Sequence, residues 1–391
     1  REMGQSDPGV SPEAMAALGI PTTRALCLVG SSRPVRRERI ETAAMVTRLS
    51  PSFVRFGHFE HFSYSGQAEQ LRALTDWVIV QHCPDCANAP QPALALLQWV
   101  VARTARLIAQ WQAVGFIHGV MNTDNMSILG WTIDYGPFAF LDAYDPLHTP
   151  NTTDRSGRYA YGRQPAVAHW NLLALGQALL PLIDKPESAL AAVDQFRPQY
   201  VQAMQQQLAA KLGLTAPQPD DGDLFQDLLD TMAANRSDWT LSFRHLAQLV
   251  ADAHAPIPPA LAAQFSREPQ RFADWAARYR ERLRAEGSSD AARAAAMNAG
   301  AYGHDMAGVL TEARVWLDGR DAWLGVAEME YGYRKSAVLK LGGLVLEARY
   351  RLSPDDPARI RERMNEHNAC RREKQPLTLP SAGSVFKRPE G

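Results

Sequence analysis

Apolar and polar positions change their rhythm along this chain. Up to about residue 66, short apolar runs alternate with turn residues. Residues 26–29 (Leu-Cys-Leu-Val) and 45–47 (Met-Val-Thr) read as strands, separated by a turn and charge cluster over 30–39. Before them, residues 12–18 read as a short helix stopped by Gly19 and Pro21. From Gln67 onward the spacing becomes helical. Over 93–111, Leu97, Val100, Val101, Leu107, Ile108 and Trp111 recur at three- and four-residue intervals and predict a long amphipathic helix. Residues 116–165 hold few helix formers and many Gly, Pro, Asn and Asp, so a buried, loop-rich centre is expected there. Helical patterns resume over 165–180, 189–212, 223–234 and 272–286, with a surface loop at 216–223.

This order predicts an α+β chain with a small strand-containing lobe ahead of a large, mostly helical one. The expected division is 1–85, 86–290 and a divergent region 291–391, whose last residues, 374–391, are rich in Pro, Ser and Gly and expected to be poorly ordered. The 391 residues carry 41 Lys and Arg against 42 Asp and Glu, and 46% are apolar, enough for a sizeable core. The balanced charge argues against a nucleic-acid partner or a polybasic membrane anchor. The most apolar stretch, 172–183, is too short to span a bilayer and contains Gln177 and Pro181. With no secretory leader visible and only four cysteines, the expectation is a soluble cytoplasmic protein. The first lysine is Lys185, so lysine chemistry is excluded from everything before it.

Chemistry concentrates between Gly115 and Gly136. His118, with Asn125 seven residues on and then Ile133-Asp134-Tyr135-Gly136, follows the layout of a protein-kinase catalytic loop and its metal-binding Asp-Phe-Gly. Mg²⁺ takes hard oxygen ligands, commonly one or two from the protein and the rest from phosphates and water. An amide oxygen from one loop and a carboxylate from the next would serve. Val120 stands where a kinase has its loop aspartate, but Asp124, beside Asn125, offers another carboxylate that could accept a proton.

The run 118–130, continued by 133–138 and 140–146 (Phe-Leu-Asp-Ala-Tyr-Asp-Pro), resembles the signature of the selenoprotein O (YdiU) family. So do 18–26, Arg55-Phe56-Gly57-His58-Phe59-Glu60, 164–172 and Arg236-Ser237-Asp238. The resemblance covers roughly 13–290. It implies a protein-kinase-like two-lobed fold that transfers AMP from ATP, held inverted, to Ser, Thr or Tyr hydroxyls of protein substrates, with Mg²⁺ or Mn²⁺. Carried over by residue, Asp124 matches the proton acceptor, and Asn125 and Asp134 the metal ligands, with Asp134 also at the nucleotide. Arg48 and Arg55 match the arginines on the inverted nucleotide's terminal phosphate; two guanidinium forks across a Ser-Pro-Ser turn suit one anion. Against that pattern the chain is expected to lack the family's glycine-rich loop and strand lysine, to begin near its helix glutamate (Glu2), and to diverge at its C-terminus. A catalytically impaired nucleotide-binding fragment is therefore the alternative reading.

Other residues carry plainer expectations. His118 is expected to brace the loop, and Asp142 and Asp145 to fix turns. His82-Cys83-Pro84-Asp85-Cys86 holds a lone C-x-x-C, read as a loop with incidental thiols. Phe53, Phe56, Phe59 and Phe62 are expected in the core.

Overall fold

A computed structural model describes residues 10–36, 40–216, 218, 220–301, 310–317, 320–325, 328 and 344–350. The chain divides into two compact units, Arg1–Gly303 and His304–Gly391. The described residues are mostly helical, with small antiparallel sheets. The expectations for Glu2 and for 374–391 fall outside them.

The first unit opens with α1 (Val10–Ala17), which stops at Gly19, where φ is +74°. β1 (Arg24–Arg36) and β2 (Ile40–Leu49) then form an antiparallel hairpin, with Arg24 opposite Leu49 and Arg36 opposite Ile40. The strands are longer than the apolar runs predicted. Much of the expected turn over 30–39 is strand, and Pro34, which has no N–H to give a ladder, sits at an irregularity in the register.

Helix α2 (Phe56–Tyr64) follows directly and was absent from the expected elements. Its aromatic and histidine-rich sequence has weak helix propensity; packing holds it, with Phe56 and Phe59 fully buried. Phe53, also expected inside, is 44% exposed. Next come α3 (Ala68–His82), a 3-10 turn over Pro84–Asn88, and α4 (Pro92–Ala113). α4 is the axis of the unit. Proline in its first turn costs no helix hydrogen bond, and it buries Leu96, Leu97, Val100, Val101, Leu107, Ile108 and Trp111 against α5 (Gln164–Leu179), α6 (Pro186–Asp194) and α7 (Phe196–Leu212).

The single helix expected over 189–212 is two. Pro198 lies in the first turn of α7; continued backward, its ring would meet the carbonyl of Asp194, where α6 ends. A second apolar cluster gathers α8 (Asp221–Asn235), α9 (Trp239–Leu246), α10 (Pro259–Gln264) and α11 (Pro269–Glu286), with Met297 from α12 (Asp290–Ala301). Between α4 and α5 lies the expected loop-rich centre. Its only regular pairing among the described residues is β3 (Phe116–Ile117) with β4 (Ala139–Phe140).

In the second unit β5 (Leu310–Leu317), β6 (Arg320–Gly325) and β7 (Leu344–Tyr350) form a three-stranded antiparallel sheet in the order β6-β5-β7. Among the described residues no helix is long and apolar enough to cross a membrane.

Candidate active site

The loop-rich centre is pinned at both ends by groups that cannot relax without leaving buried polar atoms unpaired. Gln164, at the start of α5, accepts from the His118 backbone N–H at 2.9 Å and donates to the Phe116 carbonyl at 2.8 Å. Asn171, about two turns further along α5, donates to the Met121 carbonyl at 2.9 Å. Trp111 Nε1 donates to Thr132 Oγ1 at 2.9 Å, tying α4 to the segment that leads to Asp134.

His118 is fully enclosed. Its Nδ1 accepts from the Val120 N–H, so the ring proton is on Nε2 and donates to the Ile133 carbonyl at 2.8 Å. Burial lowers its pKa, which keeps the ring neutral. It braces one loop against the other, as expected, and presents nothing to a substrate. Tyr135 makes the matching link to the front of the chain: its hydroxyl bonds to Thr22, and burial pushes its pKa up to about 12. Phe116 and Phe138 pack edge-on against its ring and stack on each other, and Phe140 packs edge-on against Phe116.

Arg48, at the end of β2, and Arg55, just before α2, are separated by the Ser-Pro-Ser turn. Ser50 Oγ donates to the Ser52 carbonyl at 2.8 Å, and Ser52 Oγ accepts from the Val54 N–H at 3.1 Å. The end of this turn is laid along the centre by backbone bonds: Ile128 N to Val54 O and Phe56 N to Met126 O, both 3.0 Å. Both guanidinium groups thereby reach Asp134. Arg48 Nη2 is 3.1 Å from Oδ1, and Arg55 Nη1 is 2.7 Å from Oδ2. The same Arg55 nitrogen donates to the Asp124 carbonyl at 2.7 Å. Asp134 has φ +55°, a left-handed conformation uncommon for a residue with a side chain.

Asp124 and Asn125 lie in a 3-10 turn, Thr123–Asn125. Asn125 Nδ2 donates to the Val120 carbonyl at 2.9 Å, which orients the amide and leaves Oδ1 as its acceptor. The Asp124 carboxylate rests against Gly57 at the start of α2 and lines an open cleft of about 500 Å³ with Glu60, His61, Tyr64, Ser65 and Thr123. Of the five residues expected at the site, Arg48, Arg55, Asp134 and Asp124 are joined by direct contacts. Asn125 is their chain neighbour, bonded to its own loop. Tyr135, Thr22 and Gly57 were not anticipated as site residues. Gly57 lay inside a recognised motif, but nothing local marks what it touches.

An amide oxygen and a carboxylate are donor types that a hard divalent cation takes. Asp134 is a carboxylate whose two oxygens are each paired to a guanidinium group, Asn125 is an amide oriented by its own loop, and no group of three or more His, Cys, Asp or Glu side chains gathers among the described residues. Two protein oxygens plus phosphate oxygens are what Mg²⁺ commonly takes.

The surroundings are structural. Asp145 Oδ1 accepts from the Leu147 N–H at 2.9 Å, and the Asp142 carbonyl accepts from the Trp239 N–H at 2.7 Å. Asp238 caps α9 through the Leu241 N–H at 2.8 Å. Cys83 and Cys86 are both buried free cysteines. Burial, with a hydrogen bond to Cys86, pushes the Cys83 thiol up to about 12, far from a reactive thiolate.

Residues 9–307 match the family described as protein adenylyltransferase SelO. The chain belongs to the SelO family. It is 53% identical over 306 residues to a Ralstonia nicotianae protein named protein nucleotidyltransferase YdiU, a match covering 73% of this chain and 58% of that protein. Proteins of the same name from Burkholderia thailandensis and Burkholderia multivorans are 53% identical over 301 and 300 residues, each covering 73% of this chain and 57% of the relative. The SelO match thus takes in the whole cluster from Arg48 to Asp134, while the chain spans somewhat over half the length of these relatives.

Proposed function

We propose that this chain carries the transfer site of a protein adenylyltransferase. The observation that supports it best is the convergence of Arg48 and Arg55 on Asp134, with Arg55 also holding Asp124. Two cationic forks, a carboxylate, an amide oxygen and a second carboxylate are the groups that nucleotidyl transfer needs within one small volume. The substrates are ATP and protein segments bearing Ser, Thr or Tyr hydroxyls. In this reading the fold is kinase-like, with 1–85 in the front lobe, 86–290 the helical lobe and 291–391 a divergent region.

Asn125 and Asp134 hold Mg²⁺ or Mn²⁺, which when bound neutralises phosphate charge. Arg48 and Arg55 bind the terminal phosphate of the inverted nucleotide, leaving the α-phosphorus toward Asp124. The acceptor oxygen forms its bond to that phosphorus, its proton passes to the Asp124 carboxylate, and the bond to pyrophosphate breaks with the electron pair leaving on pyrophosphate. His118 stays neutral and holds the two loops in register.

Labelling separates this from both a kinase and a silent nucleotide binder. With α-³²P-ATP the chain labels a protein hydroxyl, and with γ-³²P-ATP it does not. Label from the γ position alone, or nucleotide binding with no label from either, contradicts the proposal.

A further inference from the structure

We propose that Gly57 is a positioning residue for the transfer, the seat that aims the Asp124 carboxylate. This rests on the reading of Asp124 as proton acceptor. Gly57 is the second residue of α2 and is not among the positive-φ glycines, so its backbone would accept any L-residue. Helix propensity would even favour alanine there. What excludes a side chain is Asp124. A Cβ on Gly57 would overlap Asp124 Oδ1 and stand 3.1 Å from its Cγ and 3.6 Å from its Cα.

The segment 55–57 thus grips Asp124 at two points. Arg55 holds the carbonyl on the phosphate-binding side, and Gly57 receives the carboxylate on the side of the open cleft. The first turn of α2 has no acidic residue; its side-chain cap is the neutral acceptor His58 Nδ1, which takes the Arg55 N–H at 3.1 Å. The carboxylate from the Thr123–Asn125 turn supplies the negative charge that the positive end of a helix attracts. Asp124 therefore stands between nucleotide and acceptor because a hydrogen atom, and nothing larger, occupies the facing position.

The test is G57A in the full chain. The atom displaced is the free end of a side chain, so the overlap is relieved by the carboxylate turning away, with the fold kept. The expected result is an unchanged or raised Tm, KM for ATP within about twofold, and kcat for AMP transfer lowered about 100-fold, the scale of a misplaced general base. Added to D124A, the same substitution has no further effect, since it acts through the missing carboxylate. A crystal structure of G57A shows the carboxylate displaced, which reads the proposal without turnover. Wild-type kcat in G57A, an undisplaced Asp124 in its crystal structure, or a further loss on top of D124A overturns the proposal. Wild-type kcat in D124A overturns the assignment of the proton acceptor itself.

Discussion

Arg55 lies 2.7 Å from the Asp134 carboxylate, so the residue assigned to phosphate and the residue assigned to the metal hold each other. A phosphate chain that takes the guanidinium frees the carboxylate for a cation, and a cation on the carboxylate frees the guanidinium. Metal and nucleotide should therefore bind with positive coupling. In thermal-shift titrations, Mg²⁺ with a non-hydrolysable ATP analogue raises Tm by more than the sum of the two separate shifts. Additive shifts would contradict this.

Replacing Arg55 by alanine separates its two roles. The side chains of the pair are about 30% exposed, so the stability cost is about 1 kcal/mol or less. Loss of a charge-assisted phosphate contact costs about 1.5–3 kcal/mol of nucleotide binding. Calorimetric titration should show ATP affinity falling about tenfold or more with only a small change in Tm. A large fall in Tm with ATP affinity preserved would place Arg55 among structural residues.

Much of this arrangement is local in sequence, and that part is readable without a structure. α4 shows in its three- and four-residue apolar spacing, and Asn125 and Asp134 show in a motif of fixed short spacing. α2 does not show, because its sequence is a poor helix former held by the burial of Phe56 and Phe59. The break before α7 could have been read from Pro198, whose effect falls four residues back. The pairing of Arg48 with Asp134, separated by 86 positions, and the seat made by Gly57 for Asp124 are tertiary contacts with no local pattern to announce them.

His118 gives the fold a pH dependence of known sign. Burial lowers its folded pKa, so below about 6.5 the unfolded chain takes up a proton that the folded chain refuses. Its contribution is fully present above that pH and is lost as pH falls toward the folded pKa. Substituting glutamine lowers stability near neutrality, by about 1–3 kcal/mol for the disturbed buried hydrogen bonds, and makes the decline below pH 6.5 shallower. Denaturant titrations of both proteins across that range check this; parallel declines would contradict it.

Lys211 gives the opposite end of the scale. It is buried over the Trp239 and Phe243 rings, and desolvation drops its pKa to about 7. Between that value and the ordinary 10.5, the unfolded chain holds the extra proton, so this residue's contribution rises with pH across the interval. In Lys211→Met the rise disappears, and stability at neutral pH increases by about 1 kcal/mol or more. An unchanged slope of stability against pH would contradict the assignment.

The most direct test of the account is a crystal structure of the chain with Mn²⁺ and a non-hydrolysable ATP analogue, with the ion located by anomalous scattering. The account predicts the ion between Asn125 Oδ1 and the Asp134 carboxylate, Arg48 and Arg55 on the terminal phosphate, and the α-phosphorus nearest Asp124. A γ-phosphate nearest Asp124, or an ion bound away from Asn125 and Asp134, would contradict it.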